Sequence, residues 1–443
     1  MIVNCARALA CLSGLLIAEF CAAATSLDST GDPLFGTDLG AGGGQVRIAF
    51  DQGGSNDDQP LALLRTSGGK YLLVSAVTMS ATFQTEIGLV RLNPDGSTDT
   101  SFGTAGKVVS NVLNSPTAAT MDTQGRIVVV GSKTSFNDFG VARFLPNGSL
   151  DLSFAGTGST SVHPTYGGYP TAVGVDPAGL VVVGGNVNTG QQNSQDIHFM
   201  WFTDTGSLDG QSGAFSNCYE DVGGQFIHSA YVSSLAIDRN GTLVAAGSCL
   251  RRAAVFGPTC TAFPTTLNGG PDGAGNQALA IVFDASGRAL VTGSELVGTS
   301  GATRSFVTRL GTDGSVDASF GGTQPGAVPG ETYLNLPGTT TAGFAAVAAR
   351  SDGSIVEVGS ADGSLLVARL NNDGSQDFNF NAGQSYRIFP FSAGASRGQR
   401  VIIDSGRPVI AGSVNGGTPG GQDLAILRLQ SDLIFKDRFE PPL

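Results

Sequence analysis

Three loops of the chain space acid, hydroxyl and acid two residues apart: Asp95, Ser97 and Asp99; Asp313, Ser315 and Asp317; Asp373, Ser375 and Asp377. Oxygen ligands at that spacing can begin a calcium loop, but an EF-type loop continues to a Glu at a fixed place, and none of these does. A tight turn needs the same residues, Asp to bond the backbone and Gly to take positive φ, so the expected role is the turn. His163, His198 and His228 lie in different stretches of the chain, a poor basis for a metal centre. No G-x-S-x-G, H-E-x-x-H or phosphate-loop pattern occurs, and Glu86, Glu220, Glu295, Glu331 and Glu357 belong to no motif. No catalytic, cofactor-binding or metal-binding residue is therefore assigned. Paired acids that meet only in three dimensions would leave no trace at this level.

A second recurring set pairs an Arg (Arg91, Arg143, Arg309, Arg369, Arg428) with an Asp (Asp99, Asp151, Asp317, Asp377, Asp32). Facing strands joined by a short turn would bring each pair together as an ion pair or a capped corner. Trp201 stands where the third unit would carry its Arg, although Asp209 remains. For the last pair to form, Arg428 must lie close to Asp32, from the opposite end of the chain.

The elements that position these residues repeat. LVRLNPDGSTDTSFG (89–103) returns as VARFLPNGSLDLSFA (141–155), VTRLGTDGSVDASFG (307–321) and VARLNNDGSQDFNFN (367–381), with a partial copy at Asp32-Pro33-Leu34-Phe35-Gly36. Apolar alternation running into Asn93-Pro94-Asp95-Gly96 predicts a β-hairpin. The Asp-x-x-Phe that follows predicts a corner, with Phe102, Phe154, Phe320 and Phe380 as buried plugs between neighbouring units. A second marker, a turn ending in Gly and then a β-branched run, occurs seven times, at Gly69, Gly125, Gly179, Gly241, Gly287, Gly353 and Gly406. Four of these glycines are preceded at three residues by Asp122, Asp176, Asp238 and Asp284, the pattern of a four-residue turn.

The RLxxDGSxDxSFG pattern resembles the delta-60 repeat, a bacterial motif whose family is mostly uncharacterised, secreted or surface-exposed. That resemblance implies export and a repeat fold. From the residues themselves, each unit reads as four antiparallel strands, and a run such as Ile127 to Val130 or Leu180 to Val183 suits burial on both faces. The expected fold is all-β, a seven-bladed β-propeller of four-stranded blades. The N-terminal segment has the tail of a repeat and the last unit has its front, so Val46 to Phe50 is expected to supply the fourth strand of the blade begun at Arg400. Units three and four have lost most of the consensus, and either their blades are truncated or the hairpin persists under other residues.

The basic start ending at Arg7, the apolar run from Ala8 to Phe20 and Ala22-Ala23-Ala24 fit a secretory signal peptide cut near Ala24. The expected organisation is a leader at 1–24, one propeller domain at 25–432 and a short tail at 433–443 that resembles the endings of some secreted bacterial proteins. No later apolar run is long enough to span a bilayer. A net charge of −12 and a pI near 4.6 argue against nucleic acid as a partner. Three cysteines, Cys218, Cys249 and Cys260, follow the leader; an odd number leaves at least one thiol unpaired, and Cys249 with Cys260 would close a short loop.

The loops after the Val-rich strands (133–140, 186–197, 295–304, 414–423) emerge at one end of every blade and are rich in Gly, Ser, Thr, Asn and Gln. They suit recognition of a glycan or of an envelope protein by a secreted, periplasmic or surface-bound monomer with no cofactor. The alternative is a glycan-acting hydrolase or lyase with acids at the mouth of the channel.

Overall fold

Each Asp-x-x-Gly turn reverses the chain by its own side chain. Asp122 Oδ1 accepts the amides of Gln124 and Arg126 at 2.9 Å, and Gly125 sits at φ 78°. Asp238 and Asp284 cap their turns in the same way. A short inner strand and the Val-rich strand are thereby set antiparallel, and the rest of each unit adds to that pair.

The computed structural model describes residues 30–430 apart from 37–42, 53–56, 80–83, 134–136, 189, 191–194, 211–212, 216–219, 223–224, 228–230, 249–251, 257–261, 264–276, 298–301, 323–328, 335, 337–341, 390–394 and 416–420. The leader, the tail, the three cysteines of the body and His228 lie outside the described residues. No described helix is long and apolar enough to cross a membrane.

The chain is an all-β propeller of four-stranded antiparallel blades. Among the described residues there are seven such sheets and one two-stranded ribbon, Glu220–Val222 with Gln225–Ile227. The first sheet runs Asp58–Arg65, Tyr71–Thr78, Thr85–Leu92, Lys107–Ser110, in chain order from inner to outer strand. The sheets that begin at Asn114–Met121, Gly168–Val175, Tyr231–Ile237, Gln277–Phe283 and Ala342–Ala349 repeat the plan. The third and fourth keep it without the consensus, through outer strands Gly213–Phe215 and Ala262–Phe263, so those blades are not truncated. The seventh sheet, Ser396–Asp404, Arg407–Asn415 and Gln422–Arg428, takes its outer strand from the other end of the chain. Gln45–Ile48 lies antiparallel on it, with Val46 opposite Ile426 and Ile48 opposite Leu424. This strand is shifted slightly from the Val46 to Phe50 expected from the sequence.

Packing explains the apolar runs. Seven clusters of buried side chains alternate with the sheets, each drawn from two consecutive ones. One cluster joins Leu73, Val90 and Tyr71 of the first sheet to Ile426, Val409 and Val46 of the seventh. Because every sheet is covered on both faces, Ile127–Ser132 is buried at all six positions, and alternation disappears from its sequence.

The hairpin expectation needs adjustment. After Thr85–Leu92 the chain makes a single bridge, Leu92 to Thr98, and the outer strand begins only at Lys107. The intervening residues fold into the Asp-Gly turn and then the Asp-x-x-Phe corner. This two-step connection carries most of the polar residues that recur from copy to copy.

Candidate functional site

The repeated polar residues assemble into a clasp between neighbouring blades. In five copies the Arg Nε meets the corner carboxylate at 2.5 to 2.9 Å. Each guanidinium also lies over the plug ring of its own corner, 4.5 to 5.2 Å from Cζ to centroid. Most then reach the next blade: Arg91 Nη1 donates to the Pro146 carbonyl at 2.7 Å and Arg143 Nη1 to Asp204 Oδ1 at 2.8 Å, while Arg428 Nη1 donates to the Pro94 carbonyl.

The plugs complete the clasp. Phe35, Phe102, Phe154 and Phe320 are fully buried. The amide after the plug donates to the next hairpin, Gly103 to the Asn147 carbonyl at 3.1 Å and Gly321 to the Asp373 carbonyl at 2.7 Å. The hairpin glycine rests on the ring: a Cβ at Gly148 would come within 2.8 Å of Phe102. With φ at 89°, Gly148 is required by conformation and by space together.

The acids that resemble calcium ligands are engaged in this framework. Asp95 Oδ1 accepts the Ser97 amide at 2.9 Å and the Ser97 hydroxyl at 2.6 Å. Burial would raise the Asp99 carboxyl, but hydrogen bonds from Lys70, Ser101 and Arg91 outweigh it and hold Asp99 below the usual carboxylate range. Among the described residues no group of three or more His, Cys, Asp or Glu side chains is arranged to hold a metal. His163 is exposed, whereas His198 packs edge-on against Phe139 with 6.4 Å between ring centroids, and burial lowers its pKa.

Two acids were missed by motif reading. Glu357 is fully buried in the second strand of the sixth sheet, and burial, opposed by its hydrogen bond with Thr292, raises its pKa to about 8. Asp58 is pushed to about 7, by burial first, against the bond from the Phe50 amide and with the Asp423 charge adding to the rise. Glu331 accepts from the Tyr333 hydroxyl at 2.6 Å. The side chains of Glu220 and Glu295 lie outside the described residues. Glu357 and Asp58 sit in different sheets, and neither lines the central channel.

That channel is where all seven sheets converge. Every inner strand breaks register near its middle: at Leu61, Thr117, Thr171, Ser233, Leu279, Ala345 and Gln399. A bulge adds twist and re-aims the side chains beside it, which suits strands crowded around an axis. The walls are Leu61–Leu63, 118–119, Thr171–Val173, Ser233–Leu235, Leu279–Val282, Ala345–Val347 and 400–401, enclosing about 210 Å³. They are small, aliphatic or hydroxylic with one exception, Arg400. Its Nε donates to the Leu61 carbonyl at 2.6 Å and its Nη1 to the Gln399 carbonyl at 2.7 Å. Burial pushes the Arg400 pKa down to about 10, so the guanidinium stays charged at neutral pH.

Comparison with known proteins agrees with this geometry. A family model described as a domain of unknown function, DUF5122 beta-propeller, matches residues 69–102, 125–154, 285–320 and 350–380. These segments include the marker turns, clasp arginines and plugs of four blades, so the chain carries β-propeller repeats. No curated protein matches the sequence. Among solved structures, the chain is similar to virginiamycin B lyase from Staphylococcus aureus, with 11% identity and a TM-score of 0.52 over 86% of this chain and 98% of that one. It is also similar to a periplasmic gluconolactonase from Pseudomonas aeruginosa, with 14% identity and a TM-score of 0.43 over 85% and 97% of the two chains. At 11% identity the likeness to the lyase is one of fold.

Proposed function

We propose that this chain is an exported, closed seven-bladed propeller that binds a ligand, a glycan or a protein at the cell envelope or outside the cell, and that it works as a monomer without a cofactor. Export is supported by the leader-like residues 1–24 and by the resemblance of the repeats to the delta-60 kind. Closure is supported by the pairing of Gln45–Ile48 with the seventh sheet and by the clasp from Arg428 to Pro94.

One observation carries the choice of binding over turnover: the described residues of the channel wall include a guanidinium and hydroxyls but no carboxylate or imidazole. Glycoside hydrolysis uses a pair of carboxyls flanking the scissile bond, and the lining residues supply neither member. The test is a glycan array and an envelope-protein binding panel with the mature chain, followed by assay of any bound glycan for cleavage. Saturable binding with the ligand recovered intact is the expected result. Release of new reducing ends or unsaturated sugars by the purified protein would replace this reading with the hydrolase or lyase.

A further inference from the structure

Arg400 differs from the arginines of the clasps. Arg143, Arg309, Arg369 and Arg428 are buried and each has an Asp carboxylate within 3 Å. Arg400 has no ion-pair partner among the described residues: two of its nitrogens donate to backbone carbonyls, and burial alone accounts for its lowered pKa. Arg400 is half-buried in the channel wall, where a guanidinium without a counter-charge is costly, and proteins keep such groups paired or use them on a ligand.

The structural alternative is that Arg400 merely staples the seventh inner strand to the first. That task does not require a charge. Thr117, at the bulge of the second inner strand, links to the Pro170 carbonyl of the third with a hydroxyl at 2.8 Å. The positive charge at position 400 is therefore surplus to stapling, and it lines a space walled by all seven inner strands.

We propose that the central channel is an anion site in which the Arg400 guanidinium receives a carboxylate, free or as the acid group of a sugar. This deepens the binding reading above by naming the ligand's chemistry. Nε and Nη1 are held by the wall, which fixes the plane of the guanidinium and leaves Nη2 to meet the ligand in a charge-assisted hydrogen bond. Ser233 and Ser234 add hydroxyls to a wall that is otherwise mainly aliphatic. A space of about 210 Å³ admits a carboxylate or one acidic sugar unit.

The test is isothermal titration of the mature chain with D-glucuronate, acetate, D-glucose and methyl glucuronate. Binding of glucuronate with displacement by acetate identifies a carboxylate site; binding of glucuronate that acetate does not displace identifies a sugar acid. The neutral compounds should give no heat. Arg400→Met should weaken the anion at least about thirtyfold, the loss expected when one partner of an enclosed charge pair is removed, while Arg400→Lys keeps part of the affinity. If either variant fails to fold, the charged and neutral arms on the unaltered protein decide alone. No heat with either anion, or undiminished binding by folded Arg400→Met, overturns the site. Neutral glycans captured equally by the protein and by Arg400→Met would overturn the anion site while leaving the binding reading intact.

Discussion

Arg428 donates from Nε to Asp32 Oδ2 at 2.9 Å although 396 positions separate them. The pair lies in the sheet that draws strands from both ends of the chain, beside Tyr71, whose hydroxyl donates to Asp404 and lies 3.3 Å from Arg428 Nη1. Arg65 reaches Asp404 at 2.7 Å, and Arg407 reaches Asp32 at 2.9 Å. The seam between the seventh and first blades is thus richer in ion pairs than a single repeat clasp. Both side chains of the central pair are almost fully buried; removing Asp32 leaves the Arg428 guanidinium enclosed without its counter-charge, whereas removing Arg428 leaves Asp32 with Arg407. Asp32→Asn should cost about 3–5 kcal/mol in urea denaturation, and Arg428→Met less, because Arg407 still pairs with Asp32. The double variant should cost less than the sum, because the two share one interaction. A loss below about 1 kcal/mol, the worth of an exposed pair, would mean the seam carries no such load.

The plugs make a second prediction. Phe154 is fully buried beneath the third hairpin, and Phe154→Ala should cost about 3–5 kcal/mol through the cavity it leaves. Gly374 tests the same contact from above. Its φ is 83°, and a Cβ would stand 2.8 Å from the Gly321 nitrogen and 2.9 Å from the Phe320 ring. Gly374→Ala should destabilise the protein, whereas alanine at Gly156, where φ is 71° but nothing lies within 4 Å, should cost only the backbone strain. Thermal midpoints that rank the two glycines in the reverse order would contradict the clasp.

Stapling by a neutral side chain is open to measurement as well. Thr117→Val removes the hydroxyl that bonds the Pro170 carbonyl while keeping the branched shape. A net loss of about 1 kcal/mol in urea midpoint is expected, the usual worth of one such bond. No loss at all would weaken the comparison drawn between Thr117 and Arg400.

How much of this was legible in the sequence follows from the range of each interaction. Arg143 and Asp151 are eight residues apart and recur in phase with the repeat, so their pairing could be inferred before any coordinates. The donation from Arg91 to Pro146 crosses 55 residues into another blade, and only the ring arrangement brings them together. Arg400 and Glu357 break the repeat: each occupies a position where the other units carry apolar or small neutral residues in the channel wall or the core. A single departure from a degenerate consensus has no period to betray it. The third and fourth blades were obscure for the opposite reason, since their strands persist by backbone pairing after the consensus side chains have gone.

Stability should pass through a maximum on the acid side of neutrality, because two sets of carboxyls oppose each other. Asp99, Asp151 and Asp317 are held below their ordinary range in the folded protein, so their contribution is present above about pH 4 and is lost as the pH falls. Glu357 and Asp58 are raised, to about 8 and about 7, so what they contribute is present below about pH 4 and is lost as the pH rises towards those values. Burial favours the neutral acid of Glu357 even though the Thr292 hydroxyl donates to Glu357 Oε1 at 2.6 Å, a bond that opposes the rise. Glu357→Gln keeps a donor at this place and removes the titration. Urea midpoints of the unaltered protein should therefore fall between about pH 5 and 8, and those of Glu357→Gln should fall less, leaving the variant the more stable at pH 8. Parallel curves for the two proteins over that window would show that Glu357 does not ionise there.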